Sequence, residues 1–348
     1  MRASDWARGS VSFVAVVLLS ADVLLTSLSA VVGFAEAQTT GAPVPIKIGW
    51  QPAPVYRMYA AQKLGSFERA GLAPTFIKFA AGPPMLAAFQ TKDIDVTFMG
   101  SAPFVIGLSQ GLAIKAILIE QGDDPVNGLV VQRGRGIETV ADLRGKKIGV
   151  TVGSTAYLGL RRGLAKAGLK AEDVTVLNMP VINQLPAFLR GDIDGMWAWA
   201  PWNLRAEFEG NGRFLVTHRD LGVRSPGIWA ARAEWIREKP DAVRRFLHAL
   251  HLAQEALAKD RSIVRDTLME NLAISEKLAN VLIERDLNPT LEDQIGERYP
   301  TLVGPDGLGS AIKDIATAFY AEKFIKSPVD VSGAVDAGPL QEYLKTRR

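Results

Sequence analysis

Three glycine- or proline-rich segments stand where predicted strands pass into predicted helices. These junctions read Gly82-Pro83-Pro84, Gly100-Ser101-Ala102 and Gly153-Ser154-Thr155. A helix N-terminus carries unpaired backbone N–H groups and a partial positive charge, so it attracts anions. Two such ends that face each other across a groove, with serine and threonine hydroxyls as extra donors, would hold a tetrahedral anion without an arginine. Each junction taken alone also fits ordinary helix capping by Ser or Thr.

Aromatic residues are concentrated near one of the predicted strand ends. Trp197, Trp199 and Trp202 follow each other closely, and Tyr157 stands in the first turn of a predicted helix. Tryptophan and tyrosine give a binding site apolar walls with a polar group at one edge. Strand alternation places Trp197 and Trp199 on the same face. We favour the core for Trp197 and leave both core and groove open for Trp199 and Trp202.

Residue patterns typical of catalysis are scarce in this chain. There is no cysteine, which excludes disulfides, thiol catalysis and cysteine-based metal sites. His248 and His251 stand three apart on a predicted helix and could form half of a metal site, but a solvated helix face is the favoured interpretation. The chain has no Gly-x-Ser-x-Gly and no Walker loop. We therefore predict no enzymatic activity, no cofactor and no metal.

A pattern that occurs twice indicates which elements position the junctions. Ala88-Phe89 leads to Asp93-Ile94-Asp95, an apolar run and Gly100-Ser101, and Ala187-Phe188 leads to Asp192-Ile193-Asp194, an apolar run and Ala200-Pro201. Each copy predicts the end of a helix, a short buried strand and the start of a new helix. The repetition predicts two similar α/β lobes with a groove between them. The aspartates fit turn and cap roles better than a pair of catalytic carboxylates.

Strand and helix patterns alternate along most of the chain, which predicts a mostly parallel sheet with helices on both faces in each lobe. The predicted strands are 46–50, 75–79, 94–99, 114–119, 147–151, 174–177 and 193–199. The predicted helices are 55–64, 84–90, 104–109, 156–167, 185–190, 241–259, 276–285 and 312–322. The apolar extended runs 127–132 and 227–231 are the predicted crossovers. The predicted first lobe is therefore 46–131 with 225–348, and the second lobe is 132–224.

The N-terminal 37 residues have the pattern of a cleaved signal peptide, followed by a flexible leader at 38–45. Arg2 and Arg8 give a positive start, 11–34 is largely apolar, and Ala35-Glu36-Ala37 fits a cleavage site. A membrane anchor is the alternative, but Asp22 would be costly inside a bilayer. An exported chain without a cysteine for lipid attachment predicts a periplasmic protein. The net charge of +3 is small and dispersed, which argues against nucleic-acid binding.

Taken together, these segments resemble the periplasmic substrate-binding proteins of sulfonate, taurine and nitrate-type ABC importers, above all the aliphatic sulfonate-binding branch. The resemblance covers 46–330 and is strongest over 79–86, 139–148, 153–157 and 190–201. It implies a two-lobed, type II periplasmic-binding fold that closes on a small organic anion through a hinge of two crossovers. It also implies a monomer that delivers this anion to an inner-membrane ABC permease with its ATPase. The implied ligand-binding residues are Gln51, Gly82, Pro83, Ser101, Ser154, Thr155, Tyr157, Trp199 and Gly227.

One departure from the family pattern concerns the ligand. Taurine-binding members carry an acidic residue just before the tryptophan of the returning crossover, where it can meet the ammonium group. Here the segment reads Ser225-Pro226-Gly227-Ile228-Trp229, and an unpaired buried ammonium is costly. An alkanesulfonate is therefore favoured over taurine, unless Glu120 or Asp123 meets the amine. Taurine, nitrate, an aromatic or pyrimidine ligand, and an enzyme like the pyrimidine synthases of the thiamine pathway are the alternatives.

Overall fold

The computed structural model describes residues 42–123, 127–285, 288–298 and 301–347. The predicted signal peptide and the leader up to residue 41 lie outside these residues. Within them, ten strands form two five-stranded sheets. The strands are β1 (Val44–Trp50), β2 (Leu72–Lys78), β3 (Val96–Gly100), β4 (Ile114–Gln121), β5 (Gly128–Gln132), β6 (Lys147–Val150), β7 (Thr175–Asn178), β8 (Gly195–Ala198), β9 (Gly212–Thr217) and β10 (Gly227–Arg232).

The two sheets have the same topology. The first has the order β2-β1-β3-β10-β4 and the second has the order β7-β6-β8-β5-β9. In each sheet the fourth strand in this order, β10 or β5, runs antiparallel to both of its neighbours, while the first three strands pair in parallel. This arrangement confirms the predicted α/β class and the mostly parallel sheets.

The two predicted crossovers are strands rather than connections. The run 128–131, which we assigned to the first lobe, pairs with Gly195–Ala198 in the second sheet, and β10 pairs with β3 and β4 in the first sheet. Both runs are apolar because they are inner strands whose side chains are buried. The chain therefore changes sheets between Gln121 and Gly128, and again between Thr217 and Gly227. The other limits of the lobes stay a prediction.

Helices connect the strands and form the C-terminal part of the chain. They are α1 (Tyr56–Lys63), α2 (Ser66–Arg69), α3 (Gly82–Gln90), α4 (Ser101–Ser109), α5 (Thr155–Lys166), α6 (Val181–Arg190), α7 (Trp202–Phe208), α8 (His218–Leu221), α9 (Ala233–Glu238), α10 (Pro240–Lys259), α11 (Ser262–Leu272), α12 (Glu276–Glu284), α13 (Leu308–Ala321) and α14 (Gly338–Thr346). Of these, α10 packs on α1 and α13 packs on α4. The helical tail therefore returns to the first sheet, as predicted. No helix of the described residues is long and apolar enough to cross a membrane.

The repeated aspartate motif makes the same contacts in both halves. Asp95 accepts a hydrogen bond from the Lys47 N–H at 2.9 Å, and Asp194 accepts one from the Lys147 N–H at 2.9 Å. The two lysines lie on equivalent strands, β1 and β6, which pair with β3 and β8. Each carboxylate thus ties the turn before one strand to the neighbouring strand. This confirms the turn role and shows that the repeat is structural.

Candidate functional site between the two sheets

The starts of α3 and α4 lie beside each other at the end of the first sheet. A Cβ built on Gly82, the first residue of α3, would lie 2.5 Å from Pro103 Cγ in the first turn of α4. The same position is 3.8 Å from Gln51 Oε1, just after β1. A side chain larger than hydrogen at position 82 would therefore push these two junctions apart. The fold thus brings Gln51, Gly82 and the Ser101 end of α4 to one place, as predicted.

The start of α5 meets this place from the second sheet. A Cβ on Gly100 would lie 2.7 Å from Thr155 Cγ2, and one on Gly153 would lie 3.3 Å from Pro83 Cγ. Gly153 has φ of +83°, a conformation that glycine adopts without strain. The junctions of the two sheets therefore lie directly against each other, and a ligand groove between them stays a prediction.

Two buried side chains in this region have polar atoms without a partner. Ser101 is fully buried and Gln51 is 7% exposed, yet Ser101 Oγ and Gln51 Oε1 find no hydrogen-bond partner among the described residues. Buried polar groups are almost always hydrogen-bonded, because an unsatisfied one costs about 1–3 kcal/mol. The hydroxyl and the amide are therefore available to a ligand.

Backbone donors are fewer here than the helix starts suggest. The Ser101 N–H already donates to Pro226 O at 3.1 Å. Pro83, Pro84 and Pro103 lie in the first turns of α3 and α4, and proline has no N–H. Few backbone N–H groups are therefore free at these two helix starts, so an anion bound here would depend more on side-chain donors.

Ser154 and Thr155 make different contacts from Ser101. Ser154 Oγ donates to Thr151 O at 2.6 Å and accepts from the Tyr157 N–H at 3.4 Å, so it caps α5. Thr155 Oγ1 accepts from Asn127 Nδ2 at 3.4 Å. The capping interpretation therefore holds for Ser154, whose only proton is already committed.

The tryptophans near the second repeat occupy different environments. Trp197 is fully buried and donates to Asn127 Oδ1 at 3.1 Å, which confirms its place in the core. Trp199 Nε1 donates to Pro52 O at 3.1 Å, so this indole joins the two sheets next to Gln51. Trp202, which the predicted site omits, is 7% exposed and its Nε1 has no partner among the described residues. The sequence signal that could have drawn attention to Trp202 is its position directly after Ala200-Pro201, at the start of α7.

A family model described as "NMT1/THI5 like" matches residues 54–261, which hold both repeats and the junctions of the groove. The chain belongs to this family.

Some relatives of this chain carry names of binding proteins, and another carries the name of an enzyme. A Bacillus subtilis (strain 168) protein, provisionally named an aliphatic sulfonates-binding protein, is 28% identical over 80% of this chain and 81% of its own length. The taurine-binding periplasmic protein of Escherichia coli (strain K12) is 28% identical over 68% of this chain and 72% of its own. The 4-amino-5-hydroxymethyl-2-methylpyrimidine phosphate synthase of Schizosaccharomyces pombe (strain 972 / ATCC 24843) is 23% identical over 61% and 64%.

The fold is that of solved periplasmic-binding structures. The alkanesulfonate-binding protein SsuA from Xanthomonas axonopodis pv. citri, bound to MOPS, superposes with a TM-score of 0.72 and 24% identity, over 85% of this chain and 99% of that one. Because the two sequences are only 24% identical, this superposition establishes the fold alone. This family fold is the two-lobed arrangement that the sequence implied.

Gly227 does not offer the place for an acid that the family pattern suggested. A Cβ at this position would lie 2.8 Å from Cε2 of the Phe98 ring and 3.0 Å from Gln121 Oε1. Phe98 is a core residue, 1% exposed. An acidic side chain at 227 would meet this ring before it met a ligand, although the backbone of Gly227 pairs with Gly100 beside the start of α4.

The two other acids considered for an ammonium group are bound within the protein. Glu120 is fully buried, forms a 3.1 Å ion pair with Arg57 Nε and accepts from Trp229 Nε1 at 2.8 Å. Asp123 accepts from the Ser225 N–H at 2.7 Å. Both carboxylates therefore stabilise the first sheet and the returning chain.

The histidines hold structural positions. His218, which the sequence interpretation left without a role, is buried with Nδ1 2.6 Å from Ser225 Oγ. Burial lowers its pKa to about 3, so the ring is neutral. His251 contacts the Tyr343 hydroxyl and Glu292 at 3.1 and 3.0 Å and is buried, so the solvated face predicted for it is wrong. In the described parts of the chain, no three His, Asp or Glu side chains are grouped to hold a metal.

Proposed function

We propose that this protein is the periplasmic solute-binding component of an ABC importer and captures a small organic anion, first of all an alkanesulfonate, between its two lobes. The observation that carries the proposal is the pair of buried, uncharged and unpartnered groups, Ser101 Oγ and Gln51 Oε1, where helix starts of the two sheets meet. The binding proteins named among the relatives support the same ligand class.

The chemistry of the groove suits a monoanion with an apolar tail. Ser101, the free N–H groups at the start of α5 and the amide of Gln51 would surround the anionic head, whose oxygens accept hydrogen bonds. None of these groups is charged, so an ion with one negative charge fits them better than a dianion. The indole of Trp199 and the ring of Tyr157 would flank the tail.

Taurine is the second candidate, on the strength of the taurine-binding relative. Its ammonium would need an acceptor, and Glu120 and Asp123 already serve Arg57 and Ser225. We therefore rank ethanesulfonate, which lacks the amine, above taurine. Nitrate and aromatic or pyrimidine ligands remain further candidates for the same groove.

The protein acts in this proposal as a receptor without catalysis. It would be exported by the predicted signal peptide, work as a monomer in the periplasm and deliver its ligand to a membrane permease with its ATPase. The chain lacks cysteine, and its His218 is buried and neutral. The absent thiol and the inaccessible His218 argue against an enzyme that would use a cysteine or this histidine.

A ligand screen tests the proposal. Thermal unfolding would be followed with ethanesulfonate, taurine, nitrate, acetate and a hydroxymethylpyrimidine, and calorimetry would measure the binders. A ligand at 100 times its Kd adds about 2.7 kcal/mol to the free energy of unfolding. We expect stabilisation by ethanesulfonate, and less by taurine. Stabilisation by the pyrimidine alone, or turnover of it, would contradict the proposal.

Small-angle scattering tests the clamp itself. Two lobes joined by two crossings should move as a hinge and close over the ligand. The radius of gyration should therefore decrease when a ligand confirmed by calorimetry is added. An unchanged radius at saturation would contradict hinge closure.

A further inference from the structure

An ion pair and a hydrogen bond connect helix α5 to the first lobe. Arg161 Nε forms an ion pair with Glu322 Oε2 at 3.1 Å, and Arg161 Nη2 donates to the Glu322 backbone oxygen at 3.2 Å. Glu322 directly follows α13, which packs on α4. The side chains of Arg161 and Glu322 are only 24% and 18% exposed. This pair therefore connects a helix of the second sheet to the helical tail of the first.

An aromatic contact accompanies the ion pair. The rings of Tyr157 and Phe324 have their centroids 5.1 Å apart. Tyr157 and Arg161 are four residues apart, so they lie on the same face of α5. Phe324 is fixed in turn by Phe319 of α13, with ring centroids 4.9 Å apart and a backbone hydrogen bond of 2.8 Å. Phe324 is thus held against α13, so the aromatic contact also joins α5 to the helical tail.

The position of this contact makes it sensitive to closure. The middle of α13 contacts the returning chain, where Arg224 pairs with Asp314 at 2.8 Å. Glu322 lies eight residues beyond Asp314, which is about 12 Å along a helix at 1.5 Å per residue. A rotation of the lobes about the two crossings would therefore change the Arg161–Glu322 distance far more than the Arg224–Asp314 distance.

We propose that Tyr157, Arg161, Glu322 and Phe324 form a closure clasp, which assembles when the lobes close and holds the start of α5 against the ligand. The clasp rests on the proposed binding function, since α5 begins at the Ser154-Thr155 junction. Arg161, Glu322 and Phe324 are positioning residues that do not need to touch the ligand, whereas Tyr157 would also flank its tail. Contacts made only in the closed state shift the equilibrium toward that state and slow ligand release.

A distance measurement on the ligand-free protein tests the clasp directly. The chain has no cysteine, so Thr75→Cys and Thr175→Cys give two unique sites for spin labels. Both threonines are exposed and lie on equivalent edge strands, β2 and β7. Distance distributions would be recorded by pulsed electron resonance for the otherwise unchanged chain, for Glu322→Gln and for Arg161→Gln.

The matched control is Arg213→Gln. Arg213 pairs with Glu138 at 2.7 Å and is 23% exposed, so its chemistry and exposure match those of Arg161. Both partners of this pair, however, belong to the second lobe. We expect Glu322→Gln and Arg161→Gln to shift the distribution toward long distances, and Arg213→Gln to leave it unchanged. The exchange Arg161→Glu with Glu322→Arg should restore short distances in part.

Release kinetics supply the second readout, with ethanesulfonate as the probe. We expect a dissociation rate about three- to tenfold higher for Glu322→Gln, because a partly exposed ion pair and its hydrogen bond contribute about that much. Distributions for Glu322→Gln and Arg161→Gln equal to that of the unchanged chain would overturn the clasp. Failure of ethanesulfonate to bind would instead contradict the proposed ligand class, and the ligand-free distances would still decide about the clasp.

Discussion

Ser101 and Ser154 appear alike in the sequence, but the structure separates their roles and predicts opposite effects for the same substitution. Ser101 Oγ has no hydrogen-bond partner among the described residues, whereas Ser154 Oγ donates to Thr151 O and caps α5. Ser101→Ala removes no hydrogen bond within the protein. The free energy of unfolding of the ligand-free protein should therefore stay within about 0.5 kcal/mol of its original value, or rise.

The affinity for the ligand, in contrast, should fall. A hydrogen bond to a charged ligand contributes about 1.5–3 kcal/mol, so Ser101→Ala should weaken binding about 10- to 150-fold. Ser154→Ala should instead lower the free energy of unfolding by about 1 kcal/mol, the usual loss for a helix cap. Its effect on affinity should be smaller, because the only hydroxyl proton of Ser154 is committed to Thr151.

Urea unfolding of the ligand-free variants and calorimetry with ethanesulfonate measure the two quantities separately. The expected result is a crossed pattern, in which Ser101→Ala loses affinity and Ser154→Ala loses stability. Ser101→Thr serves as a control that keeps the hydroxyl. If Ser101→Ala loses stability and keeps its affinity, the hydroxyl of Ser101 is structural and our assignment of the anion site is wrong.

Three further predictions concern the frame around the groove. Glu120→Ala should lower the free energy of unfolding in urea by about 3–5 kcal/mol, because it leaves Arg57 buried without its partner; a loss below 1 kcal/mol would contradict this. Gly227→Asp should destabilise the protein by about 1–3 kcal/mol through overpacking against Phe98 and should not improve taurine binding, so tighter taurine binding measured by calorimetry would refute the steric argument. His218 is neutral in the folded protein with a pKa of about 3, and between that value and its unfolded pKa near 6.5 the unfolded chain binds more protons. The free energy of unfolding should therefore fall as the pH falls through this window, by up to about 1.4 kcal/mol per pH unit, and His218→Asn should lack this component of the slope.

The local order of strands and helices was readable from the sequence alone. Apolar periodicity, glycine and proline positions, and the repeated aspartate motif are local signals, and each is set by a few neighbouring residues. The repeat predicted two similar lobes because Asp95 and Asp194 perform the same turn function. The weak elements α7 and β9 were missed because they carry little periodicity: β9 depends on pairing with β5, and α7 depends on packing against the second sheet.

Which side chains find hydrogen-bond partners, and which strands lie side by side, was decided only by the tertiary structure. The sequence could not show that Ser101 lacks a partner while Ser154 has two, since the partners depend on backbone atoms brought near by folding. Nor could it show that the Phe98 ring lies 2.8 Å from a Cβ at 227, or that the runs 128–131 and 227–231 are inner strands of different sheets. Sequence patterns are determined by burial and turn geometry within one element, whereas a binding site is assembled from contacts between elements far apart in the chain.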